Sequence, residues 1–328
     1  MAIRVYTSLD TGAPVLTGSL LNRLKQIYMA CLVNGYGSKP AAGWTVGHQS
    51  ADGNGFSLSN GDGYINFVSS GSNVVQVYLL ESITDGSAAL AVGANRRSAS
   101  WFDGSSSGER QTFYSYSGIE SGSNPHWVVA ADDKTVIFVS GAGVTAADIT
   151  NSFSGFAHYF GRYISALGLA GAAEFVSLGG ANGEAQPMFA KGVSGTALRN
   201  PFTGLVDQGD SARYGAANVT YASEQQRSRG KLLPSRLLPV RAGLQCAGPD
   251  LNNNASYYAH AGHLRGVISE PTLCASMLSE VLALFGLSNT WQARVQPITL
   301  PNGKQWYPMF ATTAEYGLFI SLDPDDWV

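Results

Sequence analysis

The sequence predicts an α+β fold, predominantly antiparallel β, with one amphipathic helix over about residues 18–34 packed on a sheet. Three observations carry this expectation. One apolar stripe at helical spacing follows an N-terminal turn. Charged residues make up only 13% of the chain, beside 39 glycines and 11% aromatics, a balance that suits short strands joined by tight turns. Runs of β-branched and aromatic residues recur along the chain, punctuated by glycine, asparagine and aspartate.

The helix is the best-defined element. Leu20, Leu21, Leu24, Ile27, Tyr28, Cys31 and Leu32 fall on one stripe of a 3.6-residue period, and Asn22, Arg23, Lys25 and Gln26 fall on the other side. Thr17 or Ser19 can cap the first turn, and Gly35 stands where a left-handed C-terminal cap is wanted. Pro14 and Pro40 bracket the unit. A single apolar stripe requires another layer to cover it.

Around it, Ile3–Thr7 reads as an opening strand, and residues 36–55 as a glycine-rich loop anchored by Trp44. Further strands are expected at Gly63–Ser69, Val74–Ile83, Gln111–Ser117, Phe156–Ala166 (with a bend or bulge at Gly161) and Glu174–Leu178. Trp127–Ser140 is the clearest hairpin, its turn at Asp132–Asp133–Lys134. Residues 179–209 read as a linker or long surface loop. Lys231–Leu244 is extended because of its prolines. Leu273–Phe285 fits a second helix, and Trp291–Leu300 and Leu318–Leu322 fit strands. Asn302–Gly303 signals a type I′ turn in a hairpin over Val295–Trp306. A soft boundary near residue 180 separates a β-rich region with the helix (1–180) from a second β-rich region (181–328), which is either separate or continuous with the first.

Composition excludes several classes. At 45% hydrophobic the chain can bury a substantial core, and a net charge of −3 gives no basic field for nucleic acid. No apolar run reaches the roughly 18 residues that span a bilayer. The opening MAIRVYTSLD lacks the apolar core of a signal peptide, so synthesis and folding in a cytoplasm are expected. Cys31, Cys246 and Cys274 are widely spaced and form neither a disulfide framework nor a zinc pattern. Cys31, on the helix stripe, reads as a small core residue.

No catalytic, cofactor or metal site emerges. His260 and His263 would share a face only on a helix, and Gly262 between them argues for loop or strand. Asp323, Asp325 and Asp326 lack the alternation and closing glutamate of a calcium loop and read as a solvated tail. Trp327 beside them implies that the tail docks on its own core or on a neighbouring subunit. The glycine-rich stretches lack the GK[ST] ending of a phosphate loop, and no GxSxG elbow is present. Arg227, Arg229, Lys231, Arg236 and Arg241 form a basic run that either meets an acidic partner or snorkels over leucines in an exposed loop.

The string DTGAPVLTG, followed by a helix ending in ACLVNGYGSKPAAGWT, resembles the N-termini of a family of tailed-bacteriophage virion structural proteins. In that family a D-x-G-A-P-V-L-x-G block precedes a helix and then V-N-G-Y-G-S-K and A-G-W-T. The resemblance is close over residues 1–45. WVVAADDKTVIFVS and HYFGRYISA are similar to later family segments, and little is similar after about residue 180. The resemblance implies a virion component made in the host bacterial cytoplasm, with other virion proteins and copies of itself as partners.

The expectation is therefore a non-enzymatic structural protein of the tail or baseplate that assembles as a symmetric oligomer. With 15 Tyr and 6 Trp, the composition suits large interfaces depleted in charge. Tyr36, Trp44, Trp101, Arg227, Arg229, Arg236 and Trp327 are the candidate interface or anchor residues. A capsid-decorating or cementing protein is one alternative. A tail-tip module binding host-surface glycans is another, and it requires Tyr36, Trp44 and Trp101 to line one open groove. An enzyme such as a cell-wall hydrolase needs paired carboxylates or a metal site, and the sequence assembles neither. Trp44 is expected to be at least half buried, because a large aromatic is costly to leave in water.

Overall fold

A computed structural model describes residues 2–69, 75–86, 91–98, 113–114, 126–141, 155–179, 195–206, 213–217, 240–247, 258–269, 296–308 and 318–328. In chain order the first strands are β1 (Arg4–Thr7), β2 (Thr45–Gln49), β3 (Gly55–Ser59), β4 (Tyr64–Ser69), β5 (Val75–Leu80), β6 (Arg97–Ser98) and β7 (Phe113–Tyr114). There follow β8 (His126–Ala131), β9 (Thr135–Gly141), β10 (Gly155–Arg162), β11 (Ile164–Ser165), β12 (Phe175–Leu178) and β13 (Gly195–Ala197). The last are β14 (Arg213–Ala217), β15 (Val240–Ala247), β16 (Tyr258–Ser269), β17 (Ile298–Thr299), β18 (Gln305–Pro308) and β19 (Leu318–Ser321).

They form two antiparallel sheets. A 13-stranded sheet runs β1-β8-β9-β10-β12-β13-β14-β15-β16-β19-β18-β17, with β11 on β16, and a 6-stranded sheet runs β2-β3-β4-β5-β6, with β7 on β5. β11 continues β10 after a single residue and pairs with β16, Ile164 opposite His263. The path from β10 through β12 to β16 therefore returns to its own start and closes a ring, which removes two sheet edges. Strands from both sides of residue 180 hydrogen-bond within this one sheet, β12 to β13 and β11 to β16.

Side-chain alternation divides the interior in two. On one face of the large sheet, Trp127, Val129, Val136, Phe138, Phe160 and Phe175 join the helix and the inner face of the small sheet. On the other, Val128, Ile137, Tyr159 and Val176 join Leu244, Leu264, Val267, Ile320 and Trp327 in a second core. Central strands buried on both faces read as continuous apolar runs. This is why WVVAA and TVIFVS show no polar alternation.

The helix, α1 (Leu20–Tyr28), begins at Ser19, whose Oγ accepts from the Asn22 N–H at 3.4 Å. Every residue of the expected stripe is buried. Tyr28 lies between the sheets, its ring centroid 5.4 Å from Phe67, 5.6 Å from Phe138 and 5.5 Å from Phe160. The regular period ends earlier than the sequence suggests, because Met29–Asn34 winds as a π-helix. The returning chain satisfies its last carbonyls: Ala42 N–H donates to Cys31, and Gly43 and Trp44 N–H donate to Leu32, each at 3.0 Å. Gly35 has the expected positive φ of 75°, but its ψ of 169° is extended rather than left-handed helical. Cys31 is a buried free thiol, as expected of a small core residue.

Three other expectations are corrected. The glycine-rich stretch 36–55 is not all loop, since it contains β2, which pairs with β3 and carries a bulge at Val46–His48. Residues 179–209 include β13, held in the large sheet. The β17–β18 hairpin forms, but Asn302–Gly303 does not make a two-residue type I′ turn. Gly303 N–H donates to Leu300 at 2.8 Å and only Gly303, at φ 81°, is left-handed. Pro301 sits second in that turn, giving a type I turn closed by a glycine bulge. The expected helix at Leu273–Phe285 lies outside the described residues, as does most of the expected strand at Gln111–Ser117.

Candidate functional site

Two hydrogen-bonded knots hold Tyr36, Trp44 and Trp327, three of the residues that the sequence singles out. The first joins the two halves of the N-terminal motif. Asp10 Oδ2 accepts from Thr7 N–H at 2.7 Å, from the Tyr36 hydroxyl at 2.7 Å and from Lys39 Nζ at 2.6 Å. Lys39 also donates to the Val5 carbonyl at 2.8 Å, occupying the open edge of β1. Burial alone would raise the Asp10 carboxyl, but hydrogen bonds from Lys39, Tyr36 and Thr7 outweigh it and hold the group below the usual carboxylate range. Burial and the Asp10 carboxylate together push the Tyr36 hydroxyl well up, so it stays a donor.

Backbone shape completes this knot. Gly37 has φ 56°, and a Cβ there would lie 2.8 Å from the Thr11 carbonyl. Gly12, at φ 83°, packs on Gly37. The Tyr6 hydroxyl donates to Pro40 O at 2.6 Å, Arg4 donates to Ala41 O, and the Tyr6 and Tyr36 rings lie 5.8 Å apart. The glycines, tyrosine and lysine of VNGYGSK thus serve one another and DTGAP, fixing the loop's course.

The second knot is built on the β8–β9 turn. Asp132 Oδ1 accepts from Lys134 N–H at 2.9 Å and Thr135 N–H at 2.8 Å. Asp132 Oδ2 accepts from Arg265 Nη2 of β16 at 2.7 Å. Arg265 Nη1 also donates to Thr135 Oγ1 at 2.9 Å, and its Nε donates to the Trp327 carbonyl. Trp44 Nε1 donates to Asp132 O at 2.9 Å. One turn therefore ties the N-terminal loop, the ring and the C-terminal segment together.

Trp44 is 2% exposed, against Phe160 and Phe175, so the expectation of burial holds and its ring lines no open groove. Tyr36 is half-buried with its hydroxyl engaged. Trp327 is also 2% exposed, docked on the chain's own core with Nε1 donating to Ser321 O at 2.7 Å. The acidic end is not a freely solvated tail. Asp323 caps the short 3₁₀ turn Pro324–Trp327 and pairs with Lys304, while Asp326 accepts from Ser321 Oγ. Arg241 donates to the carbonyls of Val328 and Asp325. Trp101, Arg227, Arg229 and Arg236 lie outside the described residues.

His263 is exposed on β16, opposite Ile164. Among the described residues no three His, Cys, Asp or Glu side chains are placed to hold a metal. The sequence reading missed Asp10, Lys39, Asp132 and Arg265. Two of them carried a signal: a lone arginine within the apolar run of β16, and an aspartate opening a D-D-K-T turn, where a side chain can bond the backbone two or three residues on. No protein-family model matches the chain, and no curated protein matches it.

Proposed function

We propose that this chain is a structural component of a tailed-bacteriophage virion, placed in the tail or baseplate and acting through protein–protein assembly. The observation that carries the reading is the N-terminal block. Five of the residues in the strings that carry the resemblance (Asp10, Gly12, Tyr36, Gly37 and Lys39) lock to one another. A motif demanded by one specific local architecture supports kinship with the family in which the motif recurs. The same block leaves Leu9 48% and Val15 82% exposed, apolar surface that a neighbouring subunit would cover. Tightly tied chain segments also suit a particle component that outlives its host cell.

The test is direct. Particles from a lysate that expresses this chain are purified on a density gradient, probed by mass spectrometry, and labelled with gold-conjugated antibody for electron microscopy. The expected result is co-sedimentation with intact particles and gold at the tail or its tip. Gold scattered over the head shell replaces this reading with capsid decoration. Absence from purified particles overturns a virion role altogether.

A further inference from the structure

On the outer face of the small sheet, three buried polar atoms on neighbouring strands have no hydrogen-bond partner among the described residues: Nε2 of His48, Oγ of Ser57 and Oδ1 of Asn66. They stand on three adjacent strands. Ser57 of β3 is opposite His48 of β2 and also opposite Asn66 of β4, so the three side chains form one cross-strand row. Ser57 and Asn66 are fully buried. Their strand neighbours Phe56 and Phe67 point into the core, so this row points the other way, toward Gly86.

Two glycines border the row closely, Gly47 beside His48 in β2 and Gly86 over Asn66. A Cβ at Gly86 would lie 2.5 Å from Asn66 Oδ1 and 2.8 Å from the His48 ring, and one at Gly47 would lie 2.6 Å from Ser57 Oγ. Asn66 Nδ2 donates to Gly86 O at 3.3 Å. Asp85 Oδ1 stands 3.8 Å from His48 Nε2, beyond hydrogen-bond reach. Buried polar atoms are almost always satisfied, and a polar contact longer than 3.5 Å is a usual place for a bridging water.

We infer that this row is a built hydration site holding one buried water molecule. The water accepts from the Ser57 hydroxyl and donates to Asn66 Oδ1 and to His48 Nε2. That is the three-bond coordination common for internal waters. The chemistry selects water over a hard cation, because the unpartnered atoms are one hydroxyl, one amide oxygen and one imidazole nitrogen, and the Asp85 carboxylate stands 3.8 Å from His48 Nε2. The site joins strands β2, β3 and β4 to the segment above them.

A high-resolution crystal structure of the full chain tests this. The expected result is one isolated density peak about 2.7–3.2 Å from both Ser57 Oγ and Asn66 Oδ1. In Ser57→Val, whose second methyl occupies the space, the peak is lost. A direct Ser57–Asn66 hydrogen bond with no density between them overturns the proposal. So does a peak with six or more ligands at about 2.3–2.6 Å, which would be a calcium-like cation. If the variant does not fold, the wild-type density decides alone.

Discussion

Asp132 and Arg265 meet 2.7 Å apart in the interior although 133 positions separate them in the chain. The contact joins the turn of one hairpin to the middle of the strand that closes the ring. It also orders what lies on either side, because Asp132 O receives Trp44 and Arg265 Nε reaches the carbonyl of Trp327.

Removing one member of this pair leaves the other charge buried. Arg265→Met is expected to lower unfolding stability by about 3–5 kcal/mol, and Asp132→Ala by a similar amount, measured by urea denaturation. In a double-mutant cycle the pair should show a coupling of at least about 1 kcal/mol. Purely additive effects would show that the two side chains act independently.

Gly266 distinguishes tail docking from ordinary glycine strain. Its φ is 68°, and a Cβ there would lie 2.3 Å from Trp327 Cε2. Gly266→Ala should therefore expel the indole and cost about 2–5 kcal/mol. Hydrogen exchange should rise across residues 321–328. Gly303→Ala is the control. At φ 81° with nothing within 4 Å of its Cβ, it carries only the backbone cost of about 1–2 kcal/mol.

His158 gives stability a pH dependence with a definite sign. Its side chain is fully buried, with Nε2 2.9 Å from Ser177 Oγ, and burial pushes its pKa down to about 3. The unfolded chain takes up a proton near pH 6.5, whereas the folded chain does not until about pH 3. Stability contributed by neutral His158 is thus complete above pH 6.5. It is lost as pH falls toward 3, at about 1.4 kcal/mol per pH unit. Asp10, held below its ordinary range, adds loss of the same sign at the acid end. His158→Gln should flatten the slope between pH 6 and 4 in denaturation curves. An unchanged slope would refute the assignment.

Tyr36→Phe removes the hydroxyl bound to Asp10 and keeps the ring against Tyr6. The expected cost is about 1.5–3 kcal/mol, the range for a hydrogen bond to a charged group. Lys39→Met should add to it, and the Asp10 carboxyl, followed by NMR titration, should move upward in both variants.

The sequence by itself determined the local elements. The helix stripe from Leu20 to Leu32, a hydroxyl cap at Thr17 or Ser19, the Trp127–Ser140 hairpin and the burial of Trp44 and Cys31 all follow from periodicity, capping and the cost of exposing apolar surface. These are short-range rules, and the residues that obey them are close in the chain. Only the tertiary structure decided the rest. β2 hides in the glycine-rich stretch TVGHQ because what stabilises it is hydrogen bonding to β3, not its own propensity. The turn to π geometry at Met29 depends on a returning loop that takes up the helix carbonyls. The ring closure, the Asp10–Tyr36–Lys39 knot and the Asp132–Arg265 pair join residues separated by tens to more than a hundred positions. No local pattern encodes which charge a distant charge will meet, because that choice is made only when the sheets fold against each other.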